Sequence, residues 1–516
     1  MSKAIEKTYD GIIIGAGHHG LILGSYLARA GLDILLVDRR LTYGGGLCTR
    51  EVTLPGFYHN LHSINHFHIS EAPWFKDLDL DERVTYVTPR YEFGQSHHDG
   101  SALVLGRDLE ESVANIARFS KKDAATFREW NRKAEKITAQ IFLPERYAEP
   151  LSKAERESLL SRTALGREFI EVSNRQPLDV VRELFENEHV RLLFLFKVSL
   201  FGTWLVDTLS KTSPMGSVIR AFDLESGYQL CQGGSFNLAR GLMEAFIAAG
   251  GSFQPQVNIS RIVVENGRAT GIELADGRTV RAKQFVASTL DVHQTFENLI
   301  GREQLPAVFL NKLDAFQYTA WSLFGLHLAL DESPRFAAEK FDPNINRTLK
   351  WSIGAETMED LFSAHQDPGR PRSQACAIWV RAVESTGPDA GASGQAHDLL
   401  LARDAAQPRP RRSILRVLQG RFFRQDRRMF CTLLPEHDQQ KYSRAIRLHR
   451  PRICSGNDQY AWRRHLHGRL QCGTGDVQSL RLSLADSQLV QRGLRRPPGR
   501  RDFRRRGLHQ RRRDRA

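Results

Sequence analysis

Gly15, Gly17 and Gly20 stand at G-x-G-x-x-G spacing in "YDGIIIGAGHHGLILGSYLARAGLDILLVD", and Asp38 closes that stretch. The chemistry this set can do is to hold a dinucleotide. Gly15 permits a sharp turn, Gly17 lets a pyrophosphate approach the backbone between Ala16 and His18, and Gly20 lets a helix pack closely on a strand. A helix that starts there points its free N–H groups at the phosphates, and Asp38 is placed to accept hydrogen bonds from ribose hydroxyls.

Such chemistry needs a strand, a turn and a helix in that order, because the glycine spacing by itself is common. The apolar run over 9–14 reads as the strand, 19–30 as the helix and 33–37 as a second strand. Together they make a βαβ unit.

The chain continues as "DRRLTYGGGLCTREVTLPGFYHNLHS". Asp38 and Arg39 are followed by Gly44, Gly45 and Gly46 and then by Thr49. This resembles the acid, glycine-doublet and Thr pattern of the flavin amine oxidase and phytoene desaturase superfamily. The wider string "GGGLCTREVTLPGFYHNLHS" resembles the branch that holds bacterial phytoene desaturase-like proteins and pyridine nucleotide-disulphide oxidoreductase domain-containing protein 2. The resemblance implies FAD as the cofactor, with the glycines letting the chain run close to its diphosphate and ribityl chain where side chains would block it. Two positions depart from the pattern: Asp38 stands where Glu is usual, and His18-His19 fills a slot that is often His-Asn. The shorter Asp38 is expected to hold ribose less tightly.

In "HNLHSINHFH" the residues His59, His62, His66 and His68 crowd together. No nearby Cys or closely spaced carboxylate completes a ligand set, so a metal site is not expected. The resemblance places this loop near the flavin ring and makes His59 and His62 polar contacts; structural histidines with satisfied hydrogen bonds are the other reading.

Residues 108–140 show helical spacing of apolar residues with charged outer faces, and with 155–220 they read as a substrate or cap domain. From "CQGGSFNLARG" the cofactor domain resumes, with a Gly233-Gly234 turn, a helix over 236–249 and hairpin signals at 265–267 and 275–277. By resemblance the strand containing Val257 lies against the adenine and "FVASTLD" is the strand returning to the cofactor domain. "WSLFGLHLALDESPRF" alternates like a strand of the substrate-domain sheet.

The fold expected is α/β: a glutathione-reductase-like FAD-binding Rossmann domain in two parts, 1–100 and 226–302, with an inserted α+β substrate domain in two parts, 101–225 and 303–370. Residues 371–516 are expected to be unstructured.

The charge of the chain supports that last division. The net charge is +14, but residues 401–516 carry 29 Arg and one Lys against nine acids, which leaves 43 basic and 50 acidic residues in 1–400. The body is mildly acidic and only the tail is basic. The closing run "RGLRRPPGRRDFRRRGLHQRRRDRA" has one aromatic, Phe503, and no apolar face, so neither a nucleic-acid arm nor a basic membrane helix is expected. Read one nucleotide later, codons that encode the end of the chain permit a string containing "AAHPGGGISGAAG", which resembles the glycine-rich flavin segment with which family members end. Roughly the last 135 residues therefore read as a frameshift product, with the slip between about Asp367 and Trp379.

The six cysteines are widely spaced with neither redox nor zinc pairing, and "MSKAIEKTYDG" lacks the apolar core of a secretory signal. A cytoplasmic protein is expected. The resemblance implies hydride transfer between flavin and a small apolar, even polyene, substrate, reached through peripheral membrane contact; it names no catalytic acid or base. A flavin amine oxidase and a truncated, non-catalytic scaffold are the alternatives, and an intact frameshift would leave the chain inactive.

Overall fold

The computed structural model describes residues 8–199, 217–222, 228–316, 322–330, 335–353 and 355–361, with the backbone segments 378–384, 395–403 and 454–455. Two sheets organise the chain. In the first, Tyr9–Ile14 lies between Ile34–Val37 and Thr279–Ser288, parallel to both, and Ser252–Gln254 adds a fourth parallel strand beyond Ile34–Val37. Arg268–Leu274 and Ile259–Glu265 extend the other edge antiparallel. The strand returning from far along the chain is the one that "FVASTLD" ends, as expected.

Ile34–Val37 and the 11–14 end of the first strand are buried, as strands covered on both faces are. Alternate residues face different layers. Ile13, Ile34 and Leu36 pack under the helices His18–Arg29 and Phe236–Ala248, while Ile12, Ile14, Leu35 and Val37 pack with Val257, Ile262 and Ile272 on the opposite face. The two helices lie close because Gly24 has no side chain: a Cβ there would stand 2.9 Å from the Phe246 ring.

The second sheet has the order Cys454–Ser455, Ser322–Leu330, Gln395–Arg403, Ile378–Glu384, Lys350–Ile353, Tyr91–Ser96, Ala102–Gly106. All its pairings are antiparallel except that of Lys350–Ile353 with Tyr91–Ser96. Two sequence-based boundaries shift as a result. Tyr91–Ser96 falls within 1–100, yet it pairs in the second sheet, because "YEFGQS" and "ALVLG" join through the turn at Asp99 and Gly100 into one hairpin. Likewise Ile378–Glu384 and Gln395–Arg403 lie in the segment expected to be unstructured from 371. The remainder of 362–516, and with it most of the Arg-rich tail, lies outside the described residues.

Helices cover this second layer. Leu109–Ala117 and Lys121–Ile137 begin at Asp108 and Ser120, whose side chains accept hydrogen bonds from Glu111 N and Asp123 N. With Glu188–Ser199 and Ser217–Phe222 they enclose an aromatic cluster in which Phe185, Phe194 and Phe222 stack at 4.7–5.7 Å. Glu92, Lys197 and Lys350 are also buried there beside Phe93 and Tyr228. Burial raises the Glu92 carboxyl above its usual range, against the pull of both lysines. Among the described residues no helix is long and apolar enough to cross a membrane.

Candidate cofactor site

The turn after Tyr9–Ile14 is built for close approach. Gly15 has φ +102°, a value that disfavours any side chain, and Thr289 from the returning strand packs against it while donating to the carbonyls of Ile14 and Gly15. Gly17 is the N-cap of helix His18–Arg29, and no side chain caps that end. The first-turn N–H groups of the helix are thus left for a ligand. Gly20 must stay glycine for packing: a Cβ there would lie 2.0 Å from the Gly15 carbonyl oxygen.

Asp38 sits at the edge of this turn. Its carboxylate accepts from Ala16 N (2.9 Å) and Arg40 N (2.8 Å), while its own carbonyl accepts from Val257 N (2.9 Å). A carboxylate has room for about four hydrogen bonds, so acceptor capacity remains for ribose hydroxyls. Val257 itself is not in a strand. It lies in the extended link between Ser252–Gln254 and Ile259–Glu265, buried, with its N–H committed to Asp38.

The glycine run folds back onto the turn. Gly44 N donates to Ala16 O at 2.7 Å, Gly17 and Gly44 form an isolated parallel bridge, and a Cβ on Gly45 would meet Gly17 Cα at 3.0 Å. A Cβ on Gly17 would meet nothing closer than Gly45 Cα at 3.8 Å. Protein packing therefore tolerates a methyl group at Gly17, and a ligand has use for the bare backbone there. Arg40, rather than the exposed Arg39, reaches the run, with its guanidinium 3.4 Å from Gly45 O. Gly46 is in ordinary contact distance of His62.

Thr49 fastens the next segment. Its hydroxyl donates to Asn60 Oδ1 (2.7 Å) and accepts from Phe236 N (3.0 Å), and Asn60 Oδ1 also accepts from Ser235 N (2.9 Å). The hairpin of Thr49–Glu51 and Tyr58–Asn60 is thereby tied to the start of helix Phe236–Ala248. Thr49 acts through the chain it holds.

Three of the four histidines go to separate partners. His66 bonds Tyr86 and His68 bonds Glu71, while His59 is fully buried with Nε2 2.8 Å from Thr53 Oγ1. Among the described residues no three His, Cys, Asp or Glu converge as metal ligands. Only His59 and His62 stand beside the glycine run. Partial burial, and then the charges of Arg40, His327 and Arg50, lower the His62 pKa. At the other end, burial and the neighbouring His19 push His18 down to about 4.

The structure thus brings together Gly15, Ala16, Gly17, His18, Gly20, Asp38, Gly44, Gly45, Gly46, His62 and Val257. Reasoning from sequence missed Thr289, Arg40, Asn60 and His327. Thr289 lies in the quoted "FVASTLD", and Arg40 is adjacent to a residue already named; Asn60 and His327 carry no local signal because their partners are distant in the chain.

An uncapped helix end, a glycine-lined path and a carboxylate with remaining acceptor capacity at one place in a two-part sheet define a dinucleotide-binding oxidoreductase fold, and these residues fit FAD. The chain belongs to the flavin-containing amine oxidoreductase family: the profile described as "Flavin containing amine oxidoreductase" matches residues 20–392. It is 34% identical over 366 residues to one of the subunits of limonene dehydrogenase from Castellaniella defragrans, covering 69% of this chain and 65% of that protein. It is 26% identical over 370 residues to "Pyridine nucleotide-disulfide oxidoreductase domain-containing protein 2" of Rattus norvegicus, covering 65% and 62%. With a lycopene-forming phytoene desaturase of a Paracoccus species it shares 25% identity over 367 residues, 69% of each chain. The chain spans less than two thirds of the length of the first two relatives. Among solved structures, an oxidoreductase from Methanosarcina mazei matches with TM-score 0.51 and 15% identity over 82% of this chain and 84% of that one. A putrescine oxidase variant matches with TM-score 0.51 and 14% identity over 87% and 84%. These likenesses show the fold.

Proposed function

We propose that the chain is an FAD-dependent oxidoreductase that removes hydrogen from an apolar, alkene-bearing substrate, desaturating or isomerising it. The observation that carries this reading is the contact of Gly17 with Gly44 and Gly45 beside an uncapped helix end, a path shaped for a flavin dinucleotide. When bound, the flavin supplies the hydride acceptor. The chain's own residues hold and orient it: Asp38 takes the ribose, the helix at Gly17 takes the diphosphate, and Gly44 to Gly46 let the rest pass toward His62.

An apolar substrate is supported by relatives named for limonene, phytoene and hydroxyneurosporene. The proposal places the enzyme in the cytoplasm, drawing substrate through peripheral membrane contact. An amine oxidase is the second reading, favoured by the family profile; it requires amine turnover with peroxide release.

The frameshift belongs to the proposal too. It rests on the shift of composition to Arg-rich text and on the flavin-segment string that the other frame permits. As written, the chain would then lack the closing flavin segment and be inactive. The test is an anaerobic assay of the chain with FAD and limonene, beside a chain whose last segment is restored to the other frame. Bleaching of flavin absorbance only in the restored chain supports both parts. A restored chain that bleaches with putrescine and not with limonene supports the amine oxidase. A restored chain that binds no flavin refutes the proposal and favours a non-catalytic scaffold.

A further inference from the structure

We infer that His327 is a further residue of the flavin site, one that takes up a proton when the flavin is reduced. This rests on the FAD reading above and goes beyond it by assigning a proton-accepting group that the family pattern does not supply. His327 lies on Ser322–Leu330, in the second sheet, and is buried. Its ring meets that of His59 edge-on, with centroids 5.2 Å apart and planes at 62°. His59 belongs to the hairpin fastened by Thr49 and Asn60, so an imidazole of the substrate layer touches one of the cofactor layer.

The path of a dinucleotide leads to this contact. Asp38 would hold its adenosine end and the helix end at Gly17 its diphosphate, which would leave Gly44 to Gly46 for its other half. That run ends near His62, two residues after Asn60, and the charge of His327 is among those that lower the His62 pKa. His327 meets His59 across the two layers, His62 on the cofactor side lies within range of its charge and of those of Arg40 and Arg50, and in the adjacent strand Asp398 stands opposite His327 in register.

Desaturation of a CH–CH unit breaks two C–H bonds. One hydrogen leaves with its electron pair as hydride to the flavin. The electron pair of the other becomes the new π bond, and its proton needs an acceptor. Imidazole is the side chain best suited to accept it near neutral pH. His327 brings one from the substrate side, and the negative charge gained by a reduced flavin favours the protonated ring.

The test needs no substrate. The midpoint potential of the FAD-loaded full chain is measured spectroelectrochemically against pH, beside His327→Gln. For a two-electron couple each proton taken up adds about 30 mV per pH unit, since a pH unit is a tenfold change in proton concentration. The wild type is expected to be steeper than His327→Gln by one proton's worth near neutral pH. Equal slopes, with flavin bound in both, overturn the inference and leave the FAD reading intact. If His327→Gln retains no flavin, His327→Asn takes its place. If neither does, a wild-type slope that shows only the flavin's own proton overturns it. If the chain as written gains no flavin absorbance on adding FAD, the chain restored to the other frame takes its place, and a restored chain that gains none overturns the FAD reading first, and the inference with it. A histidine with a purely structural role would not change this slope.

Discussion

Gly17 and Gly44 face each other as a parallel bridge between the first helix and the glycine run, and a methyl group on the adjoining Gly45 would stand 3.0 Å from Gly17 Cα. The two glycine motifs are therefore one surface. Different glycines in it serve packing and ligand approach, and substitutions separate the two roles.

Gly20 serves packing. The Cβ of Gly20→Ala would fall 2.0 Å from Gly15 O, which is backbone and cannot swing aside. The variant is expected to lose about 1–3 kcal/mol of stability or more, along with FAD binding, since the turn itself must shift. Urea unfolding of the unliganded chain measures the first, and flavin retention on desalting the second.

Thr49→Val keeps the shape of Thr49 and removes its hydroxyl. Phe236 N and Asn60 Oδ1 then each lose a partner. A loss of about 1–3 kcal/mol is expected from these buried groups. Because the hairpin carrying His59 is held by the same bonds, FAD binding should weaken in parallel. An unchanged urea midpoint would show that Thr49 is not the tie described.

His18, at the helix end, is pushed down to about 4 by burial and then by His19. It is thus neutral near pH 7 in the free chain. A bound diphosphate raises its pKa, so FAD binding should take up a proton and strengthen as pH falls from 8 toward 6. Calorimetry in two buffers of different ionisation enthalpy reads the uptake, which should vanish in His18→Asn.

His189 ties helix Glu188–Ser199 to the hairpin turn of the second sheet. Its ring stacks on His97 at 3.5 Å, and Asp99 lies 3.6 Å from its Nε2. Burial and then His97 lower its pKa, outweighing Asp99 and Glu356. The folded chain therefore prefers the neutral ring. Stability is full above the unfolded value of about 6.5 and declines as pH falls below it toward the folded pKa. His189→Gln should flatten the fall in urea midpoint between pH 7.5 and 5.

What the sequence disclosed follows from the range of the forces. The strand, turn and helix at 9–30 were legible because apolar rhythm and glycine spacing are local. The helix forms at His18–Arg29, one residue from the expected span. The returning strand before Thr289 was legible only through resemblance, since nothing local says that it pairs with Tyr9–Ile14. Val257 is placed in a strand by resemblance alone; in the structure Gln256, at φ +59°, breaks the extended chain and Val257 N donates to Asp38 O. His327 was hidden in an alternating strand whose partner hairpin lies far earlier in the chain.

The most direct measurement of the central claim is an FAD titration of the chain and of Gly17→Ala, read by flavin absorbance and fluorescence, with urea unfolding of both in parallel. A Cβ at Gly17 has 3.8 Å of clearance within the protein. The account predicts that Gly17→Ala unfolds within about 1 kcal/mol of the wild type yet loses FAD affinity by tenfold or more. Equal affinity for FAD in the two proteins, or none in the wild type, would contradict it.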